Sequence, residues 1–123
     1  MAKKCITHLN DFLIESKPKM VSNKWIKDRY MDVYVRKSVR LYSKENEKPH
    51  MGVFLDIATV EVEAKYRSKG RFSLFIKQAI DINPLDGIYV ENVFDARFQQ
   101  YFIKCGFREY SDYSGVKSFI KLK

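Results

Sequence analysis

The sequence holds only two cysteines, Cys5 and Cys105, a hundred positions apart and outside any CxxC pair. That excludes a disulfide framework, and with His8 and His50 as the only histidines no metal site is expected. Two reduced thiols point to a cytoplasmic protein. Five glycines and three prolines exclude collagenous and low-complexity architectures. No apolar run approaches the roughly 20 residues that cross a bilayer. The opening residues Met1-Ala2-Lys3-Lys4-Cys5-Ile6-Thr7-His8 are basic but lead into no apolar core segment, so neither a secretory leader nor a membrane partner is expected.

What is present is a basic, aromatic-rich chain of 123 residues, a length that predicts a single domain over 1–123. Lys and Arg number 23 against 15 Asp and Glu, a formal charge of +8, and 46% of residues are hydrophobic with 15% aromatic. That is enough apolar material to fill a core and too much for a disordered basic tail. Net charge alone does not separate a nucleic-acid binder from a merely basic protein.

Ile6, Leu9 and Leu13, with Phe12 alongside, predict an amphipathic helix over 5–16 that Pro18 stops. A short helix capped by Ser22 or Asn23 is expected to carry Trp25 and Ile26. From Met31 the period becomes two, and Met31, Val33 and Val35 alternate with Asp32, Tyr34 and Arg36 in a strand with one wet face. Arg29, Arg36, Lys37 and Arg40 are assigned to that wet face with Tyr34 and Tyr42. Such a surface suits nucleic acid, although solvated strand faces of Lys and Arg are common.

After a polar turn over 43–49, the next strand is the most informative. Val53, Leu55 and Ile57 occupy odd positions, whereas Val60 and Val62 occupy even ones. A regular strand keeps its apolar parity, so an extra residue near Ala58-Thr59, a β-bulge, is expected, with burial of both faces as the alternative. Phe72, Phe75, Ile76, Ala79 and Ile80 then mark a helix, 88–93 a buried strand, and Phe94, Phe98, Tyr101, Phe102 and Cys105 a further helix stopped by Gly106. A closing hairpin is expected around 112–115. Strand-helix-strand order in the middle requires a parallel pair flanked by antiparallel strands.

In Arg67-Ser68-Lys69-Gly70-Arg71-Phe72 a glycine turn opens a helix. Helix N-termini carry unpaired N–H groups and about half a positive charge, so they attract phosphate. The bulge upstream would part the strands and expose backbone amides to an extended ligand. Coenzyme A, with phosphates at one end and a peptide-like arm at the other, has that shape.

Here the sequence resembles the GNAT superfamily of N-acetyltransferases. The stretch from Val60 through Gly70 is similar to its strand-then-loop motif, Arg/Gln-x-x-Gly-x-Gly/Ala, and Cys105-Gly106-Phe107 is similar to the family's helix ending in Gly-Phe. The resemblance covers 56–110, and the element order extends it over most of the chain. It implies a GNAT-like α/β sandwich: a mixed, mostly antiparallel sheet with a central splayed parallel pair and helices on both faces. It implies acetyl-CoA as co-substrate, paired with the main chain of Val60, Glu61 and Val62 and held at its pyrophosphate by the amides of Arg67, Ser68, Lys69, Gly70, Arg71 and Phe72. Two positions depart from the pattern: Phe72 stands where the motif has Gly or Ala, and Phe102 where a thiolate-protonating Tyr is frequent. Tyr101 lies one residue earlier, about 100° round the helix.

Acetyl transfer to an amine needs orientation, an oxyanion donor, a base for the ammonium and an acid for the thiolate. Glu61, Glu63 and Glu91 are candidate bases, each equally an ordinary solvated residue. Tyr101 is the candidate acid or a core residue, and Asn92 binds cofactor or caps the following helix. Two functions fit: an acetyl-CoA-dependent N-acetyltransferase with an unassigned, open or macromolecular acceptor, and a catalytically degenerate GNAT-fold module that binds nucleic acid or a partner protein. Nothing in the sequence specifies an oligomer.

Overall fold

A computed structural model describes residues 5–19, 21–27, 31–43, 48–62, 70–93, 96–111 and 117–123. The elements run α1 (Cys5–Glu15), β1 (Ser22–Lys27), β2 (Met31–Tyr42), β3 (His50–Val62), α2 (Arg71–Ile82), β4 (Gly87–Val90), α3 (Ala96–Lys104), β5 (Arg108–Ser111) and β6 (Lys117–Leu122). Six strands form one sheet in the order β1-β2-β3-β4-β6-β5. Only β3 and β4 pair in parallel, joined by the crossover helix α2; every other pair is antiparallel. The expected mixed sheet with a central parallel pair is therefore present. The closing hairpin is β5–β6, paired from Arg108 against Ile120 to Ser111 against Lys117.

Residues 22–27 form a strand, not the expected short helix. Ile26 is buried opposite Val33, while Trp25, opposite Tyr34, turns the other way and packs its ring 5.2 Å from that tyrosine. Pairing with β2 supplies the backbone bonds and the burial that decide the matter, and neither is visible in six residues of local pattern.

The β2–β3 register contains the expected bulge. Val35 pairs with Ile57, yet Tyr34 pairs with Thr59, so Ala58 is the additional residue. Val60, opposite Val33, thus returns to the face of Leu55 and Ile57, and Glu61, opposite Asp32, goes to the other face.

The main core lies on the face of Val33, Val35, Leu55, Ile57, Ile88, Val90 and Phe119. Leu9, Phe12 and Leu13 of α1, Phe75, Ile76 and Ala79 of α2, and Phe102 of α3 all join that cluster. All three described helices therefore cover one face, which corrects the expectation of helices on both. The reason lies in the apolar stripes: each is complementary to the same face, the one that the odd positions of β2 and β3 make continuous. The second face keeps only a small cluster of Phe54, Tyr89 and Ile120, edged by Tyr42 and Leu122.

Lys37 also moves from its expected place. Its odd position puts it on the helix side, buried, where Nζ donates to the Ser16 carbonyl at 2.9 Å at the end of α1. There an ammonium meets the negative end of the helix. Arg29 lies outside the described residues. Among the described residues no helix is long and apolar enough to cross a membrane, and no group of three or more His, Cys, Asp or Glu side chains is placed to hold a metal. Cys5 and Cys105 are both free thiols.

Candidate functional site

The centre of the sheet comes apart at one point. β3 and β4 run together from Phe54 and Gly87 to Ile57 and Val90, and the Glu91 N–H donates to the Ile57 carbonyl at 3.0 Å. Beyond that bond β3 continues through Ala58–Val62 beside β2 alone, while the other chain turns away through Asn92, whose φ of 54° is left-handed. The Asn92 N–H is taken by the Ser118 hydroxyl of β6 at 3.2 Å. The result is a fork whose β3 edge, within the described residues, has no strand beside it past Ile57. Such an edge presents main-chain N–H and C=O groups to an extended ligand.

The sequence-derived residues fall around this fork as follows. Val60 is half-buried on the helix side, Glu61 is exposed on the uncovered face, and the Val62 backbone pairs with Met31. Arg67, Ser68, Lys69 and Glu63 lie outside the described residues. Gly70 precedes α2 with φ 72°, and its carbonyl accepts the Leu74 N–H at 3.0 Å, the first helical bond. A Cβ built on Gly70 would meet nothing within 4 Å. A left-handed turn that opens a helix N-terminus fits a phosphate group.

Phe72 does not point back over that turn. Its ring packs edge-on against Phe98 at 5.2 Å and Phe102 at 6.1 Å, tying α2 to α3. Phe102 is buried against Phe107 and Phe119, a place where a tyrosine hydroxyl would have to find a partner inside the core. Tyr101, the neighbour on α3, instead sends its hydroxyl to the Ser73 carbonyl in the first turn of α2 at 3.0 Å. Burial, with the Cys105 side chain adding to it and the bond to Ser73 opposing it, pushes the Tyr101 hydroxyl up to about 12. It therefore keeps its proton through the neutral range.

The side chains that sequence reasoning missed lie on the uncovered face. Asp56 is fully buried between Arg36, its β2 partner, and Tyr89, its β4 partner. Arg40 grips it with two bonds, Nε to Oδ1 at 3.0 Å and NH2 to Oδ2 at 2.6 Å, and lies 3.8 Å over the Tyr89 ring. Arg40 also donates to Glu91 Oε1 at 2.8 Å, and Arg36 donates to the same oxygen. Burial works to weaken the hold of Arg40 on its proton, but the hydrogen bond and charge of Asp56, then Tyr89 and Glu91, outweigh it, so the guanidinium is held charged more firmly than usual. Two guanidiniums face two carboxylates, so the strand face read as a basic surface is locally neutral around Arg36 and Arg40. The signal for this cluster was Asp56 itself, a charged residue inside the apolar run Val53-Phe54-Leu55-Asp56-Ile57.

The fold as a whole is similar to that of solved structures. The toxin AtaT, solved as a tyrosine-to-phenylalanine mutant with the C-terminus of the antitoxin AtaR and acetyl-CoA, superposes with a TM-score of 0.50 at 9% identity, over 73% of this chain and 57% of that one. The chain has the GNAT fold. It spans little more than half of the AtaT chain it matches. A KacTA–DNA complex aligns with a TM-score of 0.49 at 11% identity, over 94% of this chain and 79% of that one. Arabidopsis thaliana NAA60 with a bisubstrate analogue aligns with a TM-score of 0.48 at 12% identity, over 96% and 93%. No protein-family model and no curated protein matches the sequence. Within the GNAT fold, the fork and the start of α2 are the two features that this chain shares with its sequence-level resemblance.

Proposed function

We propose that the protein is an acetyl-CoA-dependent N-acetyltransferase acting on an amine carried by a macromolecule. The observation that carries this reading is the fork: β3 leaves β4 after Ile57, with a left-handed Gly70 opening α2 and no described helix over the opposite face. The exposed β3 edge at Val60, Glu61 and Val62 suits the amide-bearing arm of the cofactor, and Gly70, Arg71 and Phe72 offer it first-turn N–H groups for phosphate. Acetyl-CoA supplies the activated thioester. The amine reaches it from the face that no described helix covers, where a large molecule has room.

On that face Glu61 and Glu91 flank the fork, and either carboxylate can take the proton that the attacking ammonium must lose. A backbone N–H at the bulge serves the oxyanion. On this reading Tyr101 is not a full proton source for the departing sulfur, because its single hydroxyl proton is given to the Ser73 carbonyl. A hydroxyl at about 12 gives up its proton far less readily than a thiol of ordinary strength, near 8.5.

Calorimetry with acetyl-CoA tests the reading. Micromolar binding that is lost in Gly70→Glu supports it, because the new carboxylate fills the open turn and repels phosphate. Absence of binding at millimolar cofactor would refute it. A second reading, a module that binds without catalysis, draws on Phe72, Phe98 and Phe102 packing between α2 and α3. That reading predicts nucleic-acid or protein affinity with no thioester turnover. The neutral Arg36–Arg40 cluster moves any nucleic-acid surface away from the face of β2.

A further inference from the structure

The ion cluster beneath the fork is more organised than a solvated strand face needs to be. Asp56 is fully buried, and it gives both oxygens to hydrogen bonds from Arg40, with the Arg36 guanidinium 3.9 Å from Oδ2. Arg40 passes the constraint on by donating to Glu91, and the ring of Tyr89 lies under its guanidinium. Arg36, four residues earlier on the same face of β2, also donates to Glu91. Among the described residues both hydrogen bonds to the Glu91 carboxylate fall on Oε1. Glu91 is also the residue whose N–H makes the last bond between the parting strands, and its side chain is 18% exposed.

We propose that Asp56, Arg40 and Arg36 are positioning residues that hold the Glu91 carboxylate at the fork by Oε1, so that Oε2 meets the acceptor amine and takes its proton. This rests on the acetyltransferase reading above. The logic is one of geometry: a flexible glutamate loses its rotamer freedom to two guanidiniums, one of them locked by a buried anchor, and delivers a fixed base without further ordering cost. In the step itself the ammonium proton passes to Glu91, the freed amine forms its bond to the acetyl carbon, and the C–S bond breaks to leave the thiolate; the second proton, which the nitrogen sheds on becoming an amide, passes through water to that thiolate. Arg36 and Arg40 from β2, Asp56 from β3 and Tyr89 from β4 are the groups that set the charge around that carboxylate.

Arg36 is the residue to vary, because Asp56 keeps its two bonds to Arg40 when Arg36 is removed. Calorimetry measures acetyl-CoA binding, and thiol release from acetyl-CoA measures turnover, with water and with a short lysine-containing peptide as acceptors. In Arg36→Met, acetyl-CoA affinity is expected to stay within twofold of wild type, while kcat falls about tenfold or more. The KM for the peptide is expected to stay within about twofold, so that the loss falls on kcat. Arg36→Lys is expected to restore most of kcat, and Glu91→Gln to lower it at least as far as Arg36→Met. A merely structural cluster would lower thermal stability in Arg36→Met and leave kcat unmoved, which would overturn the proposal. Wild-type protein that binds acetyl-CoA but turns over neither acceptor would also overturn it, with the cofactor reading intact. Wild-type protein that binds no acetyl-CoA would overturn both.

Discussion

Deleting Ala58 should separate stability from cofactor binding, because that residue is the additional one in β3. Without it, Ile57 still faces Val35, Thr59 still faces Tyr34, Val60 still faces Val33 and Val62 still faces Met31. Every side chain keeps its face, so the fold loses only the burial of one partly covered methyl, about 1 kcal/mol at most. For a chain of this size that is a fall in Tm of about 3–6 °C. What disappears is the local twist and bend that a bulge imposes where β3 parts from β4. Acetyl-CoA affinity, read by calorimetry, should therefore fall at least about tenfold, or about 1.4 kcal/mol. The contrasting variant removes Val60 instead. Glu61 then faces Val33 on the helix side, and an unpaired carboxylate replaces an apolar side chain against the core, at a cost of several kcal/mol. Thermal melting should show that variant largely unfolded near 40 °C or far less stable. If deleting Ala58 left cofactor binding untouched, the bulge would not be what opens the fork. If it unfolded the protein as deletion of Val60 does, the register argument would be wrong.

Two further outcomes can be measured without a substrate. Tyr101 holds its proton to about 12 in the fold against an ordinary value of 10, so its contribution is complete below pH 10 and is lost as pH rises toward 12. Chemical denaturation should therefore show wild-type stability declining over that window more steeply than Tyr101→Phe, and parallel declines would refute the assignment. Gly87→Ala should destabilise by about 1–3 kcal/mol or more, since its Cβ would lie 2.6 Å from both the Lys121 carbonyl and the Phe54 ring. An unchanged denaturation midpoint would show that the β4–β6 backbone gives way easily.

The parts of this fold that were legible in the sequence were those written as parity and period. The switch from odd to even apolar positions between Ile57 and Val60 placed the bulge near Ala58-Thr59, and the pairing makes Ala58 the additional residue. The helical spacing of Phe72, Phe75, Ile76 and Ala79 found α2. Parity also held information that was not used: Lys37 shares the odd positions of Val33 and Val35, and its burial against Ser16 follows from that. β1 was misread because its structure is conferred by β2, with Ile26 and Trp25 sorted to opposite faces only once the strands pair. The Arg40–Asp56 and Arg40–Glu91 contacts join positions 16 and 51 residues apart, and no local pattern encodes such distances; only the buried charge in an apolar strand hinted at them. Arg67, Ser68 and Lys69, expected to hold phosphate, lie outside the described residues, so the loop reading rests on Gly70.

A sheet clothed by helices on one side only is, in architectural terms, two layers of a three-layer sandwich. Phe54, Tyr89 and Ile120 form the beginning of a second interior that no described helix closes. On the acetyltransferase reading the amine-bearing molecule becomes that third layer while it is bound, and its surface must answer the rings of Trp25, Tyr34 and Tyr42 as a neighbouring element would. Selectivity for the acceptor would then be a folding problem, decided by how well another molecule completes a sheet, and the saturated protein should melt at a higher temperature than the free one.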